Sequence, residues 1–172
     1  MTAAQLVTAL IRDVPDFPEP GILFRDLTPV LADRHALAAA VAAMAEAVGD
    51  ADVIVGVEAR GFLLGGAVAH QAGLGLVPVR KEGKLPRVAV SRSYELEYGT
   101  ATLELPADVL SPGSRVHLVD DVLATGGTAA ACCELVEQAG AEVTGIGVLL
   151  ELVQLGGRDR LAGRAVHAVL TL

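Results

Sequence analysis

Short runs rich in Val and Leu alternate along this chain with Ala-rich stretches of helical length, and that alternation constrains the fold more than any other feature. An apolar run with little polar alternation suits a strand covered on both faces. Such runs occupy 53–57, 76–79, 115–119, 142–150 and 165–170. Helical spacing marks 3–12, 32–48, 62–71 and about 129–138, with Asp33 near one start and Gly49, Gly73 and Gly140 as stops. Strand–helix–strand order, repeated, predicts an α/β fold: a mostly parallel central sheet with helices on both faces. The 172 residues contain no repeat, linker or low-complexity segment, so one domain over 1–172 is expected. Aromatic residues are 3% and Trp is absent, which leaves the core to Ala, Val, Leu and Ile.

Three stretches fall outside this pattern. The three prolines in 13–20 end the first helix, and 21–30 reads as an irregular connector. Residues 80–98 are polar, charged and aperiodic, and read as a long exposed loop, a type usually functional or mobile in a compact domain. Residues 101–105 alternate and read as an edge strand.

Charge narrows the partners. A formal charge of -8 disfavours non-specific nucleic-acid binding, which needs clustered Lys and Arg. Yet six of the 13 basic residues lie between positions 60 and 92, where Glu82 is the only acid. Such a stretch suits a small polyanionic ligand, and a solvated surface loop accounts for it equally well. The longest uncharged stretch, 61–79, holds five glycines, His70, Gln71 and Pro78, too many breaks for a membrane span. The start carries no basic n-region or cleavage motif. Cys132 and Cys133 are neighbours and would point to different faces of a helix, so they read as small buried thiols in a reduced, cytoplasmic protein.

The chemistry concentrates in Val116-His117-Leu118-Val119-Asp120-Asp121-Val122-Leu123-Ala124-Thr125-Gly126-Gly127-Thr128. A buried strand ends in two carboxylates, and a loop of small residues then enters a helix. Small residues let the backbone approach a ligand, and free N–H groups at a helix start bind an anion. Thr125 and Thr128 add hydroxyl donors. Two acids repel a phosphate unless they face something else, and sugar hydroxyls suit them. The pair reads as a ribose clamp beside a phosphate cradle formed by Ala124, Thr125, Gly126, Gly127 and Thr128. For a lone Gly-Gly, an Asp-capped turn would be the better account. No G-x-x-x-x-G-K-[ST] occurs, and no strand is followed by G-x-G-x-x-G, which excludes a P-loop and a dinucleotide-binding domain.

This string resembles the ribose-phosphate signature of the type I phosphoribosyltransferases. Three further segments are similar to the adenine-using members of that family. They are Asp16-Phe17-Pro18-Glu19-Pro20-Gly21-Ile22-Leu23-Phe24-Arg25-Asp26-Leu27-Thr28-Pro29, Gly56-Val57-Glu58-Ala59-Arg60-Gly61-Phe62, and the pair 77–86 and 93–100, the latter containing Glu95-Leu96-Glu97-Tyr98-Gly99. Together they cover roughly residues 10 to 160. The resemblance implies that family's fold, with a small N-terminal hood at about 13–30 and a mobile catalytic loop. It implies transfer of a phosphoribosyl group from phosphoribosyl pyrophosphate (PRPP) to adenine, Mg²⁺ carried by PRPP rather than by a protein cage, and a homodimer. Asp120 and Asp121 would then hold ribose hydroxyls and 124–128 the 5′-phosphate. Arg60 would face pyrophosphate or base, and Arg80, Lys81 and Lys84 would assist the pyrophosphate. Leu23, Phe24 and Arg25 would line the adenine pocket, with Glu97 as acid/base and Tyr98 beside it.

By themselves Phe24 is an ordinary core aromatic, Arg25-Asp26 a surface ion pair and Glu97 an exposed acid. Two positions depart from the pattern: Arg87 stands where a Gly is usual, and His117 where an apolar residue is common. A strand histidine is expected to be a satisfied structural residue. Rival readings are an enzyme for guanine, xanthine or orotate, a PRPP-sensing nucleic-acid regulator, and an inactive paralogue. The regulator should carry a basic face or an added DNA-binding domain, which this acidic chain does not suggest.

Overall fold

The computed structural model describes residues 1–95 and 100–172. Helix α1 (Ala3–Leu10) opens with a capping box in which Thr2 and Gln5 each accept the other's backbone N–H. Strands β1 (Arg12–Pro15) and β2 (Leu23–Asp26) pair antiparallel; the helix stops at Leu10, before the first proline, and the connector at 21–30 contains a strand. This two-stranded ribbon is largely exposed and therefore lacks the apolar alternation that marks a half-buried strand. Its register places Asp13 opposite Arg25, and the two side chains form an ion pair.

The helix expected over 32–48 is α3 (Arg34–Glu46), preceded by a short helix α2 (Thr28–Ala32). Asp33 separates the two and caps α3, adopting an extended backbone and accepting the N–H groups of His35 and Ala36. Then follow β3 (Val53–Val57), α4 (Arg60–Ala72), β4 (Gly75–Lys81), β5 (Val88–Glu95), β6 (Thr100–Pro106), β7 (Arg115–Leu123), α5 (Gly127–Gln138), β8 (Glu142–Glu151), a single 3₁₀ turn (Val153–Leu155), α6 (Gly157–Arg160) and β9 (Val166–Thr171).

Seven strands form one sheet in the order β5-β6-β4-β3-β7-β8-β9. From β4 to β9 the neighbours are parallel, while β6 runs antiparallel to both β4 and β5. The α/β reading holds, with two corrections. Residues 88–95 are a strand rather than part of a loop, and β6 lies inside the sheet because β5 is the edge. Strand β5 reads as loop because an edge strand is exposed, and Val-Ala-Val-Ser-Arg-Ser-Tyr-Glu shows no clean period. At its base, Arg87 makes an ion pair with Asp108 at 2.5 Å, a contact between two exposed side chains.

The helices divide between the faces. Helices α1, α3 and α4 cover one with Val7, Ala40, Met44, Leu64 and Val68, and α5 covers the other with Ala131, Cys132, Leu135 and Val136. Both cysteines are buried and unbridged, as their spacing implied. Helix α4 lies unusually close to the sheet. A Cβ on Gly56 would stand 3.0 Å from the Gly61 carbonyl oxygen, and one on Gly61 would stand 2.9 Å from both Asp120 Oδ1 and the Val119 oxygen. Glycine there brings the start of α4, and with it Arg60, against the acid pair of β7. No helix among the described residues is long and apolar enough to cross a membrane.

Candidate active site

The parallel strands deliver their carboxyl ends to one side of the sheet, where crevices form in open α/β folds. A cavity of about 590 Å³ lies there. Its floor is Asp120, Asp121 and Ala124, one wall is Glu58, Arg60 and Lys81, and the β1–β2 ribbon roofs it with Leu23, Phe24 and Arg25. Thr128 also lines it, and its hydroxyl lies 3.1 Å from the Tyr94 hydroxyl. A smaller contiguous hollow of about 80 Å³ is lined by 122–129 and Asp120, and holds Thr125, Gly126 and Gly127. Four separate segments of the sequence reading thus converge on one space.

The acids lie inside β7 rather than after it, because the strand runs on to Leu123. Asp120 Oδ1 accepts the Asp121 N–H at 2.8 Å. The surrounding protein strips water from the Asp120 carboxylate, and the charge on Asp121 adds to this, so its pKa is pushed well above the usual range. Arg60 Nε stands 2.6 Å from Asp121 Oδ2, an ion pair without hydrogen-bond alignment. The same guanidinium lies 5.5 Å from the Phe24 ring centroid, so one side chain bridges the floor and the roof. Phe24 is half-buried and meets Phe17 edge-on, with centroids 5.1 Å apart, so it is not a core aromatic. Arg25 pairs with Asp13, not with Asp26, which instead accepts the Thr28 N–H.

Beyond Lys81, the cationic wall turns on a residue the sequence reading did not single out. The Glu58 carboxylate, 7% exposed, accepts the Lys81 N–H at 2.9 Å and forms ion pairs with Lys84 and, at 3.4 Å, Arg80. Burial pulls the Glu58 pKa up, but the Lys84 ammonium, the Lys81 N–H and the nearby Arg80 outweigh it and hold it at about 2. Arg80 and Lys84 reach the cavity through this carboxylate and do not line it themselves. The Glu58–Ala59 peptide is cis.

Other site residues were missed. Leu152 and Leu155 line the cavity from the turn after β8, where apolar residues read simply as core or loop. Tyr94 enters from β5, which has no clean period, and Ala101 and Leu103 from β6, whose alternation marks a strand but not the site it faces. Glu97 and Tyr98 lie outside the described residues. His117 is buried as a structural residue should be, but neither ring nitrogen has a partner among the described residues, so it is not satisfied. Burial, with a smaller contribution from His167, lowers its pKa to about 4.

No group of three or more His, Cys, Asp or Glu among the described residues is arranged to cage a metal. The hard oxygen donors at the floor, Asp120 and Asp121, fit a hydrated divalent cation whose remaining ligands come from a bound phosphate ester.

Residues 30–167 match the family model described as phosphoribosyl transferase domain. The chain is 59% identical over 170 residues to an adenine phosphoribosyltransferase of Clavibacter michiganensis, covering 99% of this chain and 97% of that one. A crystal structure of adenine phosphoribosyltransferase from Rhodothermus marinus superposes with a TM-score of 0.93 at 51% identity, over 99% of this chain and 98% of that one. The yeast enzyme from Saccharomyces cerevisiae, crystallised with an imino-altritol bisphosphate and adenine, does so with a TM-score of 0.91 at 39% identity, over 97% and 98%.

Proposed function

The chain belongs to the adenine phosphoribosyltransferases, and from that premise we propose how its residues divide the reaction. Adenine and PRPP give AMP and pyrophosphate, a step of purine salvage. The observation that carries the assignment of roles is the cavity that joins the acid pair to the Phe24 roof, with the small-residue loop around the hollow beside it.

Asp121, with Asp120 beside it, accepts the ribose hydroxyls, and 124–128 cradle the 5′-phosphate with backbone N–H groups and the Thr125 and Thr128 hydroxyls. Adenine lies under Leu23 and Phe24, with Arg25 fixed at the rim by Asp13. The bond from the anomeric carbon to pyrophosphate breaks as the purine nitrogen bonds to that carbon, through a transition state of oxocarbenium character. Pyrophosphate leaves with both electrons of the broken bond. The proton on the attacking nitrogen passes to Glu97, a relay worth about 10²–10⁴-fold, with Tyr98 beside it. Arg60, Arg80, Lys81 and Lys84 receive the leaving charge. Asp120 and Asp121 would face a Mg²⁺ carried in by PRPP, which would supply charge neutralisation to the pyrophosphate. Holding both reactants in line contributes on the order of 7–11 kcal/mol to such reactions, and the segment that follows Lys81, covering them, excludes the water that would hydrolyse PRPP.

We also propose that residues 1–172 act as one domain with its hood at about 13–30, and that two copies associate as a homodimer. Leu63 on α4 and Leu76 on β4 supply exposed apolar surface for that contact. The unbridged cysteines fit the reducing cytoplasm.

The test is to mix the protein with PRPP, Mg²⁺ and each nucleobase in turn and follow nucleotide formation by chromatography. AMP from adenine alone is the expected product. Another nucleotide would overturn the assignment of Leu23, Phe24 and Arg25 to adenine. No product, with PRPP still bound, would favour a PRPP sensor.

A further inference from the structure

Helix α6 is pressed onto the proposed phosphate loop with no side chain between them. Gly126, the residue before α5, has φ of +80°, and a Cβ there would stand 2.5 Å from the Gly157 carbonyl oxygen. A Cβ on Gly157 would in turn collide with the Ala124 carbonyl oxygen. Three residues further on, the Arg160 guanidinium arrives over the first residue of α5: its Nη1 lies 3.4 Å from where a Cβ on Gly127 would be. The Glu95 carbonyl and the Tyr94 ring wall the same spot at 3.7 Å.

We propose that Arg160 is a binding residue for the 5′-phosphate, an inference that rests on the reading of 124–128 as the phosphate cradle. Its neighbour Arg158 is committed elsewhere: it grips Glu151 through two hydrogen bonds of 2.7 and 2.8 Å and donates to the Val166 oxygen. Arg160 is exposed and forms no ion pair among the described residues. The cradle's own donors, backbone N–H groups and two threonine hydroxyls, are neutral, and Asp120 and Asp121 stand just before it. A phosphate dianion there meets no full positive charge from the loop itself. A guanidinium supplies that charge and a planar fork of donors that matches phosphate oxygens. Arg160 stands beside the helix start at Gly127, and the tight Gly126–Gly157 contact fixes α6 there.

Calorimetric titration of the intact protein with AMP, ribose 5-phosphate and adenosine tests this. Arg160→Gln should weaken AMP and ribose 5-phosphate about tenfold or more, leave adenosine unchanged, and flatten the salt dependence of AMP binding, while Arg160→Lys recovers part of the loss. Unchanged AMP affinity in Arg160→Gln, or an equal loss for adenosine, would overturn the proposal. Failure of the wild-type protein to bind AMP at all would instead sink the phosphoribosyltransferase roles on which it stands.

Discussion

On one side of the cavity, the end of β7 and the loop into α5 are held by backbone packed against backbone, whereas on the other, Arg80, Lys81 and Lys84 are gathered by one carboxylate. Gly61 against Asp120 and Gly126 against Gly157 leave the first wall no room to move without breaking core contacts. The second wall rests on Glu58, with Lys84 47% exposed. The difference matches the tasks proposed for the two walls. Ribose and 5′-phosphate stay with the same sugar throughout, so a rigid cradle loses nothing by being fixed in advance. Pyrophosphate must enter and leave, and cations on exposed ion pairs can exchange one anion for another at small cost. Disturbing the first wall should therefore lower stability and binding together, while disturbing the second should alter kinetics with the fold intact.

The largest expected effect is at Gly126. Alanine there would take a left-handed backbone and set its Cβ against the Gly157 carbonyl, together about 2–4 kcal/mol of destabilisation, with PRPP binding lost as α6 is pushed away. Thermal unfolding and PRPP titration of Gly126→Ala check it. A melting temperature equal to wild type would show that the loop is not braced by α6.

His117 tests the cost of the same rigidity. It lies on β7 three residues before Asp120, fitted where a Cβ on Gly145 would be 2.8 Å from Nδ1 and one on Gly147 2.9 Å from Nε2. His167, opposite Gly147 on β9, adds a smaller contribution to burial in lowering its pKa to about 4. The lowered value means that the unfolded chain binds the proton more readily. The associated stability is present in full above about pH 6.5 and is lost as pH falls toward 4, by at most about 3 kcal/mol. In His117→Val the loss of stability from pH 6.5 to pH 4 should be smaller than in wild type. Identical pH slopes in chemical denaturation would show that His117 finds a partner in solution.

The two walls were also unequally legible in the sequence. The rigid one could be read almost whole, because buried parallel strands are apolar runs and small residues between a strand and a helix have few other uses. Even there the bracing was invisible: Gly157 and Arg160 are about thirty residues from the loop they touch, and no local pattern carries a contact of that range. The second wall was legible only through family resemblance. Lys81 and Lys84 announced themselves by charge, but Glu58 read as one residue of a turn, and only the folded chain brings it to Lys84, 26 residues away. Strand β5 was hidden for a related reason, since an edge exposed to water needs no alternation. The β1–β2 ribbon that roofs the site was hidden in the same way.

Lys84→Ala separates the walls most finely. Its ammonium is half-exposed but its partner Glu58 is buried, so deletion should cost roughly 1 kcal/mol near neutral pH, less than the Gly126 change. The KM for PRPP should nevertheless rise about tenfold, because the charge-assisted hydrogen bond proposed from Lys84 to pyrophosphate is lost. Acid titration adds a second reading. Glu58 is held at about 2, below its ordinary 4.5, so its contribution is present above about pH 4.5 and drains away as pH falls toward 2. Lys84 leads the contacts that hold it down, with the Lys81 N–H and Arg80 behind it, so without Lys84 the acid loss should be shallower but not gone. A variant whose melting temperature fell as far as that of Gly126→Ala would show that Glu58 and its cations brace the fold as firmly as the glycines do, and the two walls would then be one structure.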